Sequence, residues 1–213
     1  MGRHDLTLAV AMRGRAGLAA GLYADTPVRT AAGWLPMAAL GPGDLLVTPN
    51  QGLCPISATG TELRAALWAV LVPAGVLDNP VAVLLPPGQP VLLESSQALP
   101  FTGMAQALVP AAALEGWRGI APHVPLNPAP ILTLRLPRPG LVQAGPGLTV
   151  AVDGIEGDGP EPDLIRLLLT APGHAVLPLA AARHLVATLI AADTGQGLRA
   201  ADQATLFRPA KRP

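Results

Sequence analysis

The feature that most constrains this chain is how often its apolar stretches are cut short. Its 213 residues include 23 glycines and 25 prolines, and one or the other ends nearly every apolar run after a few residues. Proline fixes φ and lacks an N–H, and glycine reaches backbone angles closed to other residues, so both punctuate secondary structure. A chain interrupted this way predicts many short strands joined by tight turns. Its length suffices for one substantial core or a core with a small appendage. The same interruptions leave no run near the ~18 uninterrupted apolar residues of a membrane span.

Charge narrows the function classes. Only 13% of residues are charged, the formal net charge is zero, and the basic residues are scattered. Ordinary soluble domains carry about a quarter charged residues. A nucleic-acid partner calls for a basic patch, and none is present. With a mean hydropathy of +0.43, the composition points to surface covered by other protein subunits, an oligomer included. The competing explanation is a compositional bias toward alanine and proline. The single cysteine, Cys54, excludes an internal disulfide and any CxxC metal site. No cofactor is implied. The opening Met1–Asp5 and the short apolar run Leu6–Met12 make a poor signal peptide and read as a first strand, which leaves the compartment open.

Along the chain, residues 1–20 read as a strand and a small-residue loop. Strands are expected at Val28–Thr30, from Trp34, and at Leu45–Thr48, Leu53–Ile56, Trp68–Val72, Val81–Leu85, Val91–Leu93, Ala98–Phe101 and Ala107–Val109. Pro110 stands at the start of a short helix, Ala111–Leu114. Ala121–Pro130 is expected as a loop, then strands at Ile131–Leu136, Leu141–Ala144 and Leu148–Val152. The Gly-, Pro- and acid-rich stretch 153–163 reads as a linker, and Leu164–Leu169 as either helix or strand. In the extension 164–213 a helix is expected over Pro178–Ala192, with Leu179, Leu185, Val186 and Leu189 on one side and Gly195 as its stop. A last helix is expected over Leu198–Leu206.

The candidate chemical groups are few. Cys54 beside Pro55 has no adjoining His or Lys to lower its pKa and reads as a small apolar strand residue. His123, His174 and His184 are isolated, whereas a metal site needs three or four convergent ligands. Asp153, Glu156, Asp158, Glu161 and Asp163 do not follow the calcium-loop spacing and read as a solvated linker. Ser95 and Ser96 lack the G-x-S-x-G setting of a hydrolase nucleophile.

Three blocks carry a resemblance. The first is Gly21-Leu22-Tyr23-Ala24-Asp25-Thr26-Pro27-Val28-Arg29-Thr30, with Gly33-Trp34 and then Met37 to Thr48, which contains Leu40-Gly41-Pro42-Gly43-Asp44. The second is Val70 to Leu77, Leu92 to Leu99 and Ala107 to Ala111. The third is Thr133 to Gly145. In order and spacing these resemble the bacterial stand-alone type of Hint domain, the hedgehog/intein fold, over roughly residues 21–150. The Gly43-Asp44 turn with its flanking strand is the most specific piece. The resemblance implies a mainly β fold: a compact Hint-like all-β domain of many short strands over 21–152, followed by the linker and a small helical segment.

It also implies a reaction. In Hint proteins a Cys or Ser at the head of the first block attacks the preceding peptide bond, a histidine of the middle block helps protonate the leaving nitrogen, and polar residues of the last block assist. Those positions fall here on Gly21, on Ala98 (with Ser95 and Gln97 kept around it), and on Thr133, Pro137 and Pro139. None carries the required group. The expectation is a catalytically inactive Hint-like module with a structural or interaction role in a larger assembly. The alternatives are an active autoprocessing protein and a β-domain that binds an apolar ligand.

Overall fold

The structure is a computed structural model and describes residues 18–62, 67–124, 129–155 and 176–194. Fourteen strands appear among the described residues. The first five are β1 (Leu22–Tyr23), β2 (Pro27–Thr30), β3 (Gly33–Pro36), β4 (Leu45–Thr48) and β5 (Gly52–Pro55). The middle five are β6 (Ala58–Thr61), β7 (Ala69–Val72), β8 (Val83–Leu85), β9 (Pro90–Glu94) and β10 (Gln106–Pro110). The last four are β11 (Ala121–His123), β12 (Ile131–Leu136), β13 (Gly140–Gln143) and β14 (Thr149–Gly154).

These strands make three sheets. A seven-stranded sheet runs β1-β12-β14-β9-β10, with β13 on β14 and β6 on β12; β11-β7-β8 and β3-β2-β4-β5 form the other two. The local reasons are those of the sequence. The Gly41–Asp44 turn is closed by the Gly41 N–H donating to Asp44 Oδ2 at 2.8 Å, and Gly43 takes a φ of 94° that favours glycine. Alternation sets the faces: on β4, Leu46 and Thr48 are buried while Leu45 is exposed. One large core cluster draws Val28, Leu46, Val70, Val91, Val109, Leu136 and Val150 from all three sheets.

The C-terminal helix is part of that core. It spans Leu179–Asp193, and Ala182, Leu185, Val186 and Leu189 are buried on the face read from the sequence. It packs on the Ala111–Leu114 turn, on β10 and on the Ser96–Ala98 turn. Three alanines in the first of these turns are buried and let the helix approach closely. Burial of Leu185, Val186 and Leu189 contributes about 1.5–3 kcal/mol each. Just before the helix, Leu177 N–H donates to Leu108 O at 2.8 Å and ties the chain to β10.

Several expectations need correction. Ala98–Phe101 is not a strand. Ser95 accepts from Gln97 N–H and starts a 3-10 turn at Ser96–Ala98, which runs into a short helix, α1 (Leu99–Thr102), ended by Gly103 in the left-handed region. The apolar run there hid a helical turn, a known ambiguity of short runs. Ala121–His123 belongs to an edge strand rather than a loop, and Pro122 is tolerated because β11 has only one neighbour, β7. Asp153 and Gly154 extend β14 beyond the expected boundary; they pair in parallel with Arg135 and Leu136. Two strands were missed. β1 is two residues long, and β6 (Ala-Thr-Gly-Thr) carries no apolar alternation yet pairs along β12. The expected elements at 1–17, 164–169 and 198–206, Gly195, and the residues Glu156, Asp158, Glu161, Asp163 and His174 lie outside the described residues.

Candidate functional site

The head of the first block sits where three strands of the large sheet diverge. β1 pairs with β12 through Leu22↔Leu132 and Tyr23↔Ile131, and extending that register by one residue sets Gly21 opposite Thr133. Farther along, the same edge of β12 passes to β14 at Arg135↔Asp153. In the gap lies the side chain of Gln89, only 2% exposed. Its Oε1 accepts from the Gly21 N–H at 2.9 Å. Its Nε2 donates to Ala151 O at 2.8 Å and to Pro90 O at 3.3 Å. Gln89 is thus a buried amide whose two ends tie β1 to β14.

Gly21 itself has no room for a side chain. Its φ is +137°, and a Cβ placed there would lie 2.5 Å from Leu132 O and 2.6 Å from Ile131 Cγ2. The chain just upstream is held too. Gly88 N–H donates to Ala19 O at 2.8 Å, and a Cβ at Gly88 would come within 2.5 Å of Leu18 O. Residues 88 and 89 therefore grip the backbone on both sides of the Ala20–Gly21 peptide bond. Sequence reasoning missed both; Pro87-Gly88-Gln89-Pro90 reads only as a turn.

The other positions that the resemblance assigns are scattered around this centre. Ala98 is fully buried in the main core cluster, as the last residue of the turn on which the C-terminal helix packs. Thr133 is half-buried on β12, opposite Gly60 of β6. Pro137 and Pro139 lie beyond the end of β12, and the Pro139 carbonyl accepts from Gln51 Nε2 at 2.8 Å.

The remaining nucleophilic or ligating groups are elsewhere or inert. Tyr23 stands two residues from Gly21, and its hydroxyl is buried without a hydrogen-bond partner among the described residues; burial pushes its pKa up from the ordinary phenol value. Cys54 lies on β5 in another sheet, with Sγ 3.8 Å from Gln51 Oε1, and burial likewise pushes its thiol up, away from the reactive thiolate. Ser95 Oγ is engaged as the cap of its turn. His123 is exposed on edge strand β11, and His184 meets the Phe101 ring edge-on at 5.6 Å. Among the described residues no group of three or more His, Cys, Asp or Glu side chains could hold a metal ion.

With this geometry in place, the comparison with known families is decisive: the Hint domain family matches residues 20–148. The chain belongs to the Hint domain family. Solved structures similar in fold include the bacterial intein-like domain from Clostridium thermocellum, at 12% identity and a TM-score of 0.46, covering 63% of this chain and 99% of that one. The MchDnaB-1 intein is similar at 14% identity and a TM-score of 0.37, covering 62% of this chain and all of that one. The Msm DnaB1 intein splicing domain, solved bound with zinc, is similar at 19% identity and a TM-score of 0.36, covering 62% and 99%. No curated protein matches the chain. The matched Hint region ends at residue 148, so the C-terminal helix, whose apolar face completes the core, stands outside it.

Proposed function

We propose that this chain is a Hint module that does not process itself and serves as a structural or protein-interaction unit of a larger assembly. The observation that carries this reading is the sealed position of Gly21. Where the family's acyl shift begins, a Cβ would collide with the backbone oxygen of Leu132 at 2.5 Å. The missing nucleophile is therefore matched by missing space.

The chemistry around the scissile position points the same way. Cleavage of the Ala20–Gly21 bond would require a proton on the departing Gly21 nitrogen. That nitrogen instead donates its own hydrogen to Gln89 Oε1, a neutral acceptor with no proton to return. The neighbouring Tyr23 hydroxyl is buried, and burial raises its pKa from the ordinary phenol value, which disfavours the phenolate. Low charge and the absence of a basic patch in the sequence favour protein partners over nucleic acid.

A fusion tests the reading. A reporter domain is placed ahead of residue 1 and the product is followed on a gel, with and without added thiol. The full-length fusion is expected to persist unchanged for days. A fragment ending at Ala20 would sink the proposal.

A further inference from the structure

Away from the reaction centre, one face of the sheet β3-β2-β4-β5 is turned to solvent. Alternation sends Val28, Thr30, Leu46, Thr48 and Cys54 inward, where they are buried, and leaves their neighbours on the other side. Three residues on that side are large, apolar and open: Trp34 is 37% exposed, Leu45 43% and Leu53 60%. The register brings them together. Arg29 pairs with Trp34, Val47 with Leu53, and Leu45 with Pro55. Leu46 pairs with Thr30, which sets Val47 beside Arg29. Trp34, Arg29, Val47 and Leu53 therefore form a row across all four strands, with Leu45 and Pro55 alongside.

We propose that this face docks one amphipathic α-helix of a partner protein, whose apolar stripe carries a single carboxylate placed over Arg29; the partner class rests on the interaction reading above. Charge is the first reason. Arg29 is the only charge in the row. It is half-buried, and its guanidinium lies 5.5 Å from the Trp34 ring centroid. Among the described residues no carboxylate pairs with it. Arg118 shows the contrast. At the surface cleft beside the last turn of the C-terminal helix, lined by Glu94 to Gln97, Leu189 and Asp193, Arg118 is answered by Asp193. Its Nε donates to Oδ2 at 2.7 Å and its Nη2 to Oδ1 at 3.0 Å. Covering Arg29 with apolar groups alone would strip water from a charge without a partner, which is costly. The occupant that covers the leucines has to bring the carboxylate.

The same reasoning argues against other occupants. Two copies of this face stacked together would bury two guanidiniums and no carboxylate from either row. A lipid surface is held by clusters of cations, and this face has one.

Shape is the second reason. The sheet's edge strands are β3 and β5, and each carries a proline, Pro36 and Pro55. Proline lacks the N–H that an added strand would need, so the edges are blunted while the face is open. Four strands at about 4.8 Å spacing span about 14 Å. That width seats one α-helix, about 10–12 Å across with its side chains.

A synthetic amphipathic helix serves as the probe, with leucine and alanine on one face, glutamine and lysine on the other, and one glutamate at the centre of the apolar face. Its twin has glutamine in place of that glutamate. The full chain is titrated with each, and the indole N–H resonance of Trp34, identified as the one lost in Trp34→Phe, is followed by NMR. A saturable shift with a Kd of about 100 µM is expected, about tenfold weaker for the twin. In Arg29→Gln the two peptides are expected to bind equally, and Leu53→Ser is expected to weaken both, with the melting temperature unchanged in each variant. Equal binding of the two peptides by the parent, a preference that survives Arg29→Gln, or no shift up to about 2 mM probe would overturn the proposal. A dimer in sedimentation that Leu53→Ser dissolves would overturn it in favour of a second copy. Flotation with phosphatidylcholine–phosphatidylglycerol vesicles, lost in the same variant, would overturn it in favour of lipid. Its failure is separable from that of the inactive-module reading. A cleaved reporter with glutamate-dependent binding removes that reading and keeps the docking face, and an intact reporter without binding does the reverse.

Discussion

Two regions of this molecule use polar side chains in opposite ways. At the head of the first block the backbone polar groups are answered internally: Gln89 meets the Gly21 N–H with one end of its amide and Ala151 O with the other. The space a nucleophile needs is filled by Leu132 and Ile131. At the cleft beside the C-terminal helix, Asp78, Glu94 and Gln97 face open volume, and Trp117, Arg118 and Asp193 form the frame around it. The first region has the energetics of a core, where an added atom or a lost hydrogen bond is costly. The second has the energetics of a surface, where charges can change at little cost to stability.

The largest expected effect breaks the first half of that comparison. Gly21→Cys restores the family's nucleophile type but combines a disfavoured φ with a backbone collision, and should destabilise by about 3 kcal/mol or more in urea denaturation. A variant as stable as the parent would mean the space exists after all. Gln89→Leu comes next. It removes the partner of the half-buried Gly21 N–H and a donor to Ala151 O, and should cost about 1–3 kcal/mol in the same experiment.

Much of the fold was legible in sequence because turns and alternation are local. The Gly41–Asp44 turn, the strand at Leu45–Thr48, and the apolar face at Leu185, Val186 and Leu189 all follow from residue type and spacing. What stayed hidden is non-local. β6 has no pattern of its own and exists because β12 offers an edge. The helical turn at Ala98 depends on the Ser95 cap and the Gly103 stop. The site divides the same way. The block spacing assigns Gly21 and Ala98 to the family's reactive positions, whereas Gln89 lies 68 residues from the N–H it satisfies, and nothing in its neighbourhood marks it. Nor could the cleft be read, since its walls come from segments far apart in the chain.

Smaller effects sharpen the second half of the comparison. Asp193 is held below the usual carboxylate range, first by its hydrogen bonds from Arg118 and then by that from Trp117. A depressed carboxyl pKa stabilises the fold above the unfolded value, and this contribution is lost as pH falls through the folded value. The melting temperature should therefore decline in acid below the ordinary carboxylate range. Asp193→Asn should flatten that decline, and added salt should shrink it because the pair is exposed. The smallest effect belongs to Glu94→Gln, which should leave stability within about 0.5 kcal/mol of the parent. A large loss there would show that the cleft wall is part of the core.

The central claim is that the head of the first block is locked by packing and hydrogen bonding. Hydrogen exchange of the Gly21 amide in the intact chain tests it most directly. The predicted result is exchange as slow as the slowest core amides of β9 and β12, opening only when the whole domain unfolds. Exchange within seconds, while those core amides stay protected, would show an open centre and contradict the claim.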